Sequence, residues 1–166
     1  MYWMDYKIEA GEMAPDFKLE STAGKSVRLY DCKNKKTVLL FFFNHHDDRC
    51  IDRLKALARD YQEFRDAGAV IFPISIIKPD EGGILAQKLG LPFGILCDDD
   101  HAVSRAYHAS RCQDPAHVCF NVIEDVEFPE ILIIDTSGII RYRHILDSKG
   151  GPGDKALIEE CRKALE

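Results

Sequence analysis

The chain alternates between two hydrophobic periods, and the switches mark its elements. Glu12 to Leu19 reads as extended, with Pro15 as a strand-edge marker. Ser21 to Lys25 reads as a turn, and Val27 to Tyr30 as the second arm of a hairpin. Thr37 to Phe43 is a continuous apolar run, too short for an ordinary helix, which predicts a buried central strand. Asn44 to Arg49 is a polar loop. From Asp48 to Ala67 the period becomes helical: Ile51, Leu54, Leu57, Ala58, Tyr61 and Phe64 share one face, and Gly68 stops the run. A second buried strand follows over Ala69 to Ile77, then a helix over Asp80 to Leu89 that ends at Gly90. Phe93 to Cys97 is a short strand, and His101 to His108 a turn or two of helix. Ile131 to Asp135 and Ile139 to His144 form a hairpin about Thr136 to Gly138. After a loop at Ser148 to Gly153, Asp154 to Leu165 closes the chain as a helix.

Strand, helix, strand, helix, hairpin, helix is an α/β order. It predicts a mixed sheet with helices on both faces and an N-terminal hairpin, as one domain over residues 1–166. The loop from the first buried strand into the longest helix then lies at the carboxyl edge of the sheet, where such proteins place their chemistry.

Charge and composition narrow the partners. The net charge is −6 over 166 residues and no basic patch is evident, which argues against nucleic acid or an anionic membrane. The longest apolar run is Val38 to Phe43, far below the roughly 20 residues that span a bilayer. The first ten residues lack a cationic stretch followed by an apolar one, so a cytoplasmic location is expected. The six cysteines form no CxxC pair, so neither a dithiol motif nor a zinc knuckle is signalled.

Cys50 stands out among them. It falls near the start of the longest helix, where unpaired amides and the helix dipole favour a thiolate, and Arg49 adds a positive charge beside it. A buried core thiol remains the alternative, because 50, 54, 57, 61 and 64 also fit one helical face. His45, His46, Asp47 and Asp48 have the residue types of a metal site. Adjacent histidines seldom reach one metal, so the loop reads as solvated and no metal or organic cofactor is expected.

At this point the residues meet a family. Gly11-Glu-Met-Ala-Pro-Asp-Phe-Lys-Leu19, the strand Val38 to Phe43 with Cys50 seven residues on, Leu91-Pro-Phe with Cys97-Asp-Asp-Asp100 and Arg105-Ala-Tyr107, and Ile131 to Arg141 follow in order. Over residues 9 to 145 this resembles the peroxiredoxin (alkyl hydroperoxide reductase/thiol-specific antioxidant) family, with its thioredoxin-like fold. The resemblance implies Cys50 as a peroxidatic nucleophile that reduces hydrogen peroxide or alkyl hydroperoxides through a sulfenic acid. It implies a thioredoxin-like or low-molecular-weight thiol as reductant, and a homodimer. Cys112 and Cys119 are the candidate resolving thiols; a bond between these two, or no role, stays open. Cys32, Cys97 and Cys161 read as packing or incidental.

The departures fall on the chemistry. Where the family pattern is PxxxTxxC, this chain has Phe43 at the proline and Asp47 at the threonine, and the late-strand arginine aligns with Pro129. Arg105 and Arg141 are the candidates to replace it. An ionised aspartate only accepts hydrogen bonds, and it caps helices well. Like charges about 5 Å apart cost roughly 3 kcal/mol at an effective dielectric of 20, against about 0.3–1 kcal/mol returned by the helix dipole. Pro129 before a strand suggests instead the cis-proline that faces the active cysteine in thioredoxins. Two further readings therefore stand beside the peroxidase: a redoxin-fold binding module, and a thiol-disulfide partner that forms a mixed disulfide.

Overall fold

The computed structural model describes residues 9–107, 109, 126, 128–146 and 151–165. Seven strands make one mixed sheet: β1 (Lys18–Ser21), β2 (Val27–Arg28), β3 (Thr37–Phe42), β4 (Ala69–Ser75), β5 (Leu96–Cys97), β6 (Glu130–Ile134) and β7 (Ile140–Ile145). Their spatial order is β2-β1-β5-β4-β3-β6-β7. The β3–β4 and β4–β5 pairs are parallel; the rest are antiparallel, including the expected N-terminal hairpin β1–β2.

β3 is buried at all six positions and therefore sorts its side chains between two cores. Leu39 and Phe41, with Phe43 just beyond the strand, face a cluster with Ile131 and Ile133. Helices α1 (Asp48–Arg59), α2 (Tyr61–Asp66) and α5 (Asp154–Ala164) cover that face with Leu54, Leu57, Phe64, Leu157, Ile158 and Cys161. Each large side chain among them contributes about 1.5–3 kcal/mol by leaving water. Val38, Leu40 and Phe42 point to the other face, toward Phe17, Leu29, Leu132, Ile134 and Tyr107. Tyr107 follows α4 (Ala102–Ala106), and its hydroxyl donates to the Pro15 carbonyl. The Asp98 carboxylate caps α4, accepting from Val103 N at 3.1 Å and Ser104 N at 2.7 Å. α3 (Pro79–Leu89) ends at Gly90, whose φ of +62° is the left-handed turn a glycine takes without penalty.

Three elements differ from the sequence reading. The helix expected over 48–67 breaks at Asp60, where φ −99° and ψ 15° leave the α region. Its carboxyl group there lies beside Asp154 at the start of α5 and raises that residue's carboxyl, so a tertiary contact accompanies the break. The second hairpin arm is only two residues long, because Leu29–Cys32 winds into a 3-10 turn. The strand expected over 93–97 is reduced to Leu96–Cys97.

Pro129 also requires a correction. No peptide bond among the described residues is cis, so the Phe128–Pro129 bond is trans and the thioredoxin-type cis-proline is absent. The chain is already extended as it enters β6: Phe128 N donates to Ala109 O at 2.9 Å, and Leu146 N to the Pro129 carbonyl at 2.8 Å. With both neighbouring contacts made by an extended chain, the amide keeps its preferred form. Among the described residues, no helix is long and apolar enough to cross a membrane.

Candidate active site

β3 ends where the polar loop begins, and the loop is built to deliver Cys50 into the first turn of α1. Phe43 N donates to Ile74 O at 2.9 Å, the last rung toward β4. The loop then folds on itself: Asp47 N donates to Asn44 O at 3.0 Å and His46 N to Asn44 Oδ1 at 2.8 Å. Asp47 is the N-cap of α1, its Oδ1 accepting from Arg49 N at 2.9 Å, as its residue type predicts. Cys50 N donates to the Asp47 carbonyl at 3.0 Å.

The sulfur is in two environments at once. Cys50 is only 1% exposed and belongs to the same core cluster as Phe43 and Leu54. It nevertheless occupies the amide-rich mouth of a twelve-residue helix. Burial pushes the thiol up to about 11. The Asn44 backbone N–H favours the thiolate and pulls it down; the Asp47 charge raises it and the Arg49 charge lowers it. Both sequence readings of Cys50 thus hold in part: it is a core thiol, and it is at the helix start.

Arg49 lies where the sequence reading put it, yet it is engaged. Its Nη2 is 2.9 Å from Asp47 Oδ2 and its Nε 3.3 Å from Oδ1. The side-chain bond to Arg49 holds the Asp47 carboxyl below its usual range. The expected repulsion of the thiolate by Asp47 is therefore present and is opposed by the arginine bound to it. Arg141 does not reach the site, since its Nε is 2.6 Å from Asp135 Oδ2 at the far end of β6. Cys112 and Cys119 lie outside the described residues. Cys97 and Cys161 are buried and Cys32 half-buried; all three are free thiols raised chiefly by burial, Cys97 to about 11 and Cys161 to about 12.

Metal-holding groups of three or more His, Cys, Asp or Glu do not occur among the described residues. The His45 and His46 rings lie against each other instead, centroids 4.1 Å apart and tilted by 44°. His45 Nδ1 is 3.0 Å from Ser75 Oγ, and Ser75 Oγ donates to the Phe43 carbonyl at 2.8 Å. Ser75 did not emerge from the sequence as a site residue. The available signal was one polar side chain inside the apolar run Ala69 to Ile77.

The comparisons with known proteins speak to the family and the fold. The profile of the AhpC/TSA family matches residues 10–143. Peroxiredoxin Bcp of Bacillus subtilis (strain 168) is 32% identical over 100 residues, 60% of this chain and 64% of that protein, so the shared stretch spans just under two thirds of that relative. Peroxiredoxin Bcp of Escherichia coli (strain K12) is 29% identical over 140 residues, 84% of this chain and 86% of that protein. The crystal structure of peroxidoxin BcpB from Mycobacterium tuberculosis superposes with a TM-score of 0.80 at 16% identity, covering 94% of this chain and 97% of that one; this likeness speaks to the fold. With a cysteine opening the helix after β3, a thioredoxin-like sheet behind it and a family match over most of its length, the chain belongs to the AhpC/TSA family.

Proposed function

We propose that this protein is a thiol-dependent peroxidase with Cys50 as its nucleophile. The observation that carries the reading is the position of the sulfur, at the first turn of α1 behind the Asp47 cap. The Cys50 thiolate attacks one oxygen of the peroxide; the S–O bond forms as the O–O bond breaks. The departing hydroxide or alkoxide takes a proton and leaves as water or an alcohol, and the cysteine becomes a sulfenic acid. A thiol then condenses with the sulfenic acid, releasing water and forming a disulfide, which a second thiol reduces. The reductant in this reading is a thioredoxin-like protein or a small thiol, with Cys112 and Cys119 as candidate resolving cysteines. A homodimer in the cytoplasm completes it.

The same geometry makes the resting enzyme slow. A thiol near 11 is ionised in about one molecule in ten thousand at pH 7. At 1% exposure the sulfur must also be uncovered before a peroxide can reach it. Hydrogen peroxide consumption with excess dithiothreitol is therefore expected to rise about tenfold per pH unit between 7 and 9. It is expected to vanish in Cys50→Ser. Equal consumption by Cys50→Ser, or none by the wild type at pH 9, overturns the proposal.

A second reading rests on the burial of the sulfur and on the mutual neutralisation of Asp47 and Arg49. Here the chain is a redoxin-fold binding module or thiol-disulfide partner. It predicts a mixed disulfide through Cys50 without peroxide turnover.

A further inference from the structure

The hydroxyl of Ser75 has one hydrogen and two neighbours within bonding distance. The Phe43 carbonyl, at 2.8 Å, only accepts. The hydrogen therefore goes to Phe43, and the second contact, 3.0 Å to His45 Nδ1, requires the imidazole to donate. His45 carries its proton on Nδ1 whether the ring is neutral or charged, so the contact holds in both states.

The Phe43 carbonyl and the Asn44 N–H belong to one peptide unit. That unit is trans, so its C=O and N–H point in opposite directions. A donor bound to the carbonyl fixes the plane and leaves the N–H directed the other way; that N–H is the backbone amide that favours the Cys50 thiolate. It also polarises the amide, because chained hydrogen bonds strengthen one another by about 10–30% each.

We infer that His45 and Ser75 are positioning residues for Cys50, at the head of a hydrogen-bond relay that runs from His45 Nδ1–H to Ser75 Oγ–H, through the Phe43–Asn44 peptide, and ends on the sulfur. The relay takes over part of the orienting work of a threonine and an arginine that this chain lacks at Asp47 and Pro129. Ser75 suits the role because it is wholly buried and rigidly held: its own carbonyl accepts from Asp98 N at 2.9 Å. The inference rests on Cys50 being the reactive thiol of the proposed function, but its test needs no peroxide.

The test is the rate of Cys50 alkylation by iodoacetamide between pH 7 and 9, resolved by mass spectrometry in the full chain. Cys161, wholly buried, serves as the internal reporter of unfolding. Ser75→Ala is expected to lower the Cys50 rate about threefold to tenfold, as loss of a bond that favours a charged group requires. Ser75→Thr, which keeps the hydroxyl, is expected to stay within about twofold of wild type. His45→Leu, in a half-exposed loop, is expected to lower it about twofold. Unchanged Cys50 rates in both Ser75→Ala and His45→Leu overturn the relay. If Ser75→Ala raises Cys161 alkylation and so signals opening, the His45→Leu result decides alone. A wild type that consumes no peroxide but shows the alkylation pattern sinks the peroxidase and leaves the relay standing.

Discussion

Arg49 Nη2 lies 2.9 Å from Asp47 Oδ2, so a cation and an anion that both act on the Cys50 sulfur are bound to each other. The pair sits at the surface, with the arginine side chain 55% exposed, and its own contribution to stability is small. Its importance is electrostatic. The two charges act on the thiolate in opposite senses, and burial is the dominant influence on the sulfur.

Replacing Asp47 by threonine removes the repelling charge, releases Arg49 and restores the residue type of the family motif. Threonine also caps helices, so α1 keeps its start. Cys50 alkylation at pH 8 is expected to rise about threefold to tenfold, and peroxide consumption with it. A rate at or below wild type would show that Asp47 does not restrain the thiol.

Glu130 carries a pH dependence of stability. It is fully buried at the start of β6, and burial raises its carboxyl to about 7 although Arg143, 2.9 Å from Oε2, opposes this. A folded value above the unfolded 4.5 means its contribution is present below pH 4.5 and lost as pH rises through 7. The loss is about 3 kcal/mol by pH 8. Glu130→Gln cannot titrate, so the stability of the variant relative to wild type should shift in its favour by about that amount between pH 4.5 and 8. Urea unfolding at the two pH values measures this, and a constant difference counts against it.

Arg53 ties α1 to α5 and to the loop before it. Its Nη1 is 2.9 Å from Asp154 Oδ1, the side chains are 11% and 7% exposed, and it donates also to the Pro152 carbonyl. Burial, with Asp60 alongside, raises Asp154 to about 6 against the pull of Arg53. Arg53→Ala leaves that carboxylate uncompensated and should cost about 3–5 kcal/mol at pH 8. At pH 5 Asp154 is mostly protonated and the cost should be smaller. Equal losses at both pH values, read from urea midpoints, would mean that packing rather than charge is what Arg53 supplies.

Much of the site was legible in order along the chain. A cysteine after an apolar strand, an aspartate three residues before it and an arginine beside it are local facts, and local geometry carried them into place: Asp47 caps, Arg49 pairs with it, Cys50 enters the first turn. Ser75 was hidden because it is thirty residues from His45 in sequence and meets it only when β3 and β4 pair. Pro129 was misjudged for the opposite reason. A residue type at a matching place suggested an isomer, whereas the neighbouring hydrogen bonds at Phe128 and Leu146 belong to a trans, extended chain. The break at Asp60 was likewise invisible, since Tyr61 and Phe64 continue the apolar stripe and the partner carboxyl of Asp154 is supplied by the last helix.

Apolar periodicity by itself determined the strand and helix order, the mixed sheet and the placing of one cysteine at a helix mouth, because these follow from which faces must leave water. Only the tertiary structure decided how ionisable that sulfur is. Its charge state depends on the solvent excluded by Phe43 and Leu54 and on an amide turned toward it from across a loop, and neither burial nor peptide orientation is a property of residues taken one at a time.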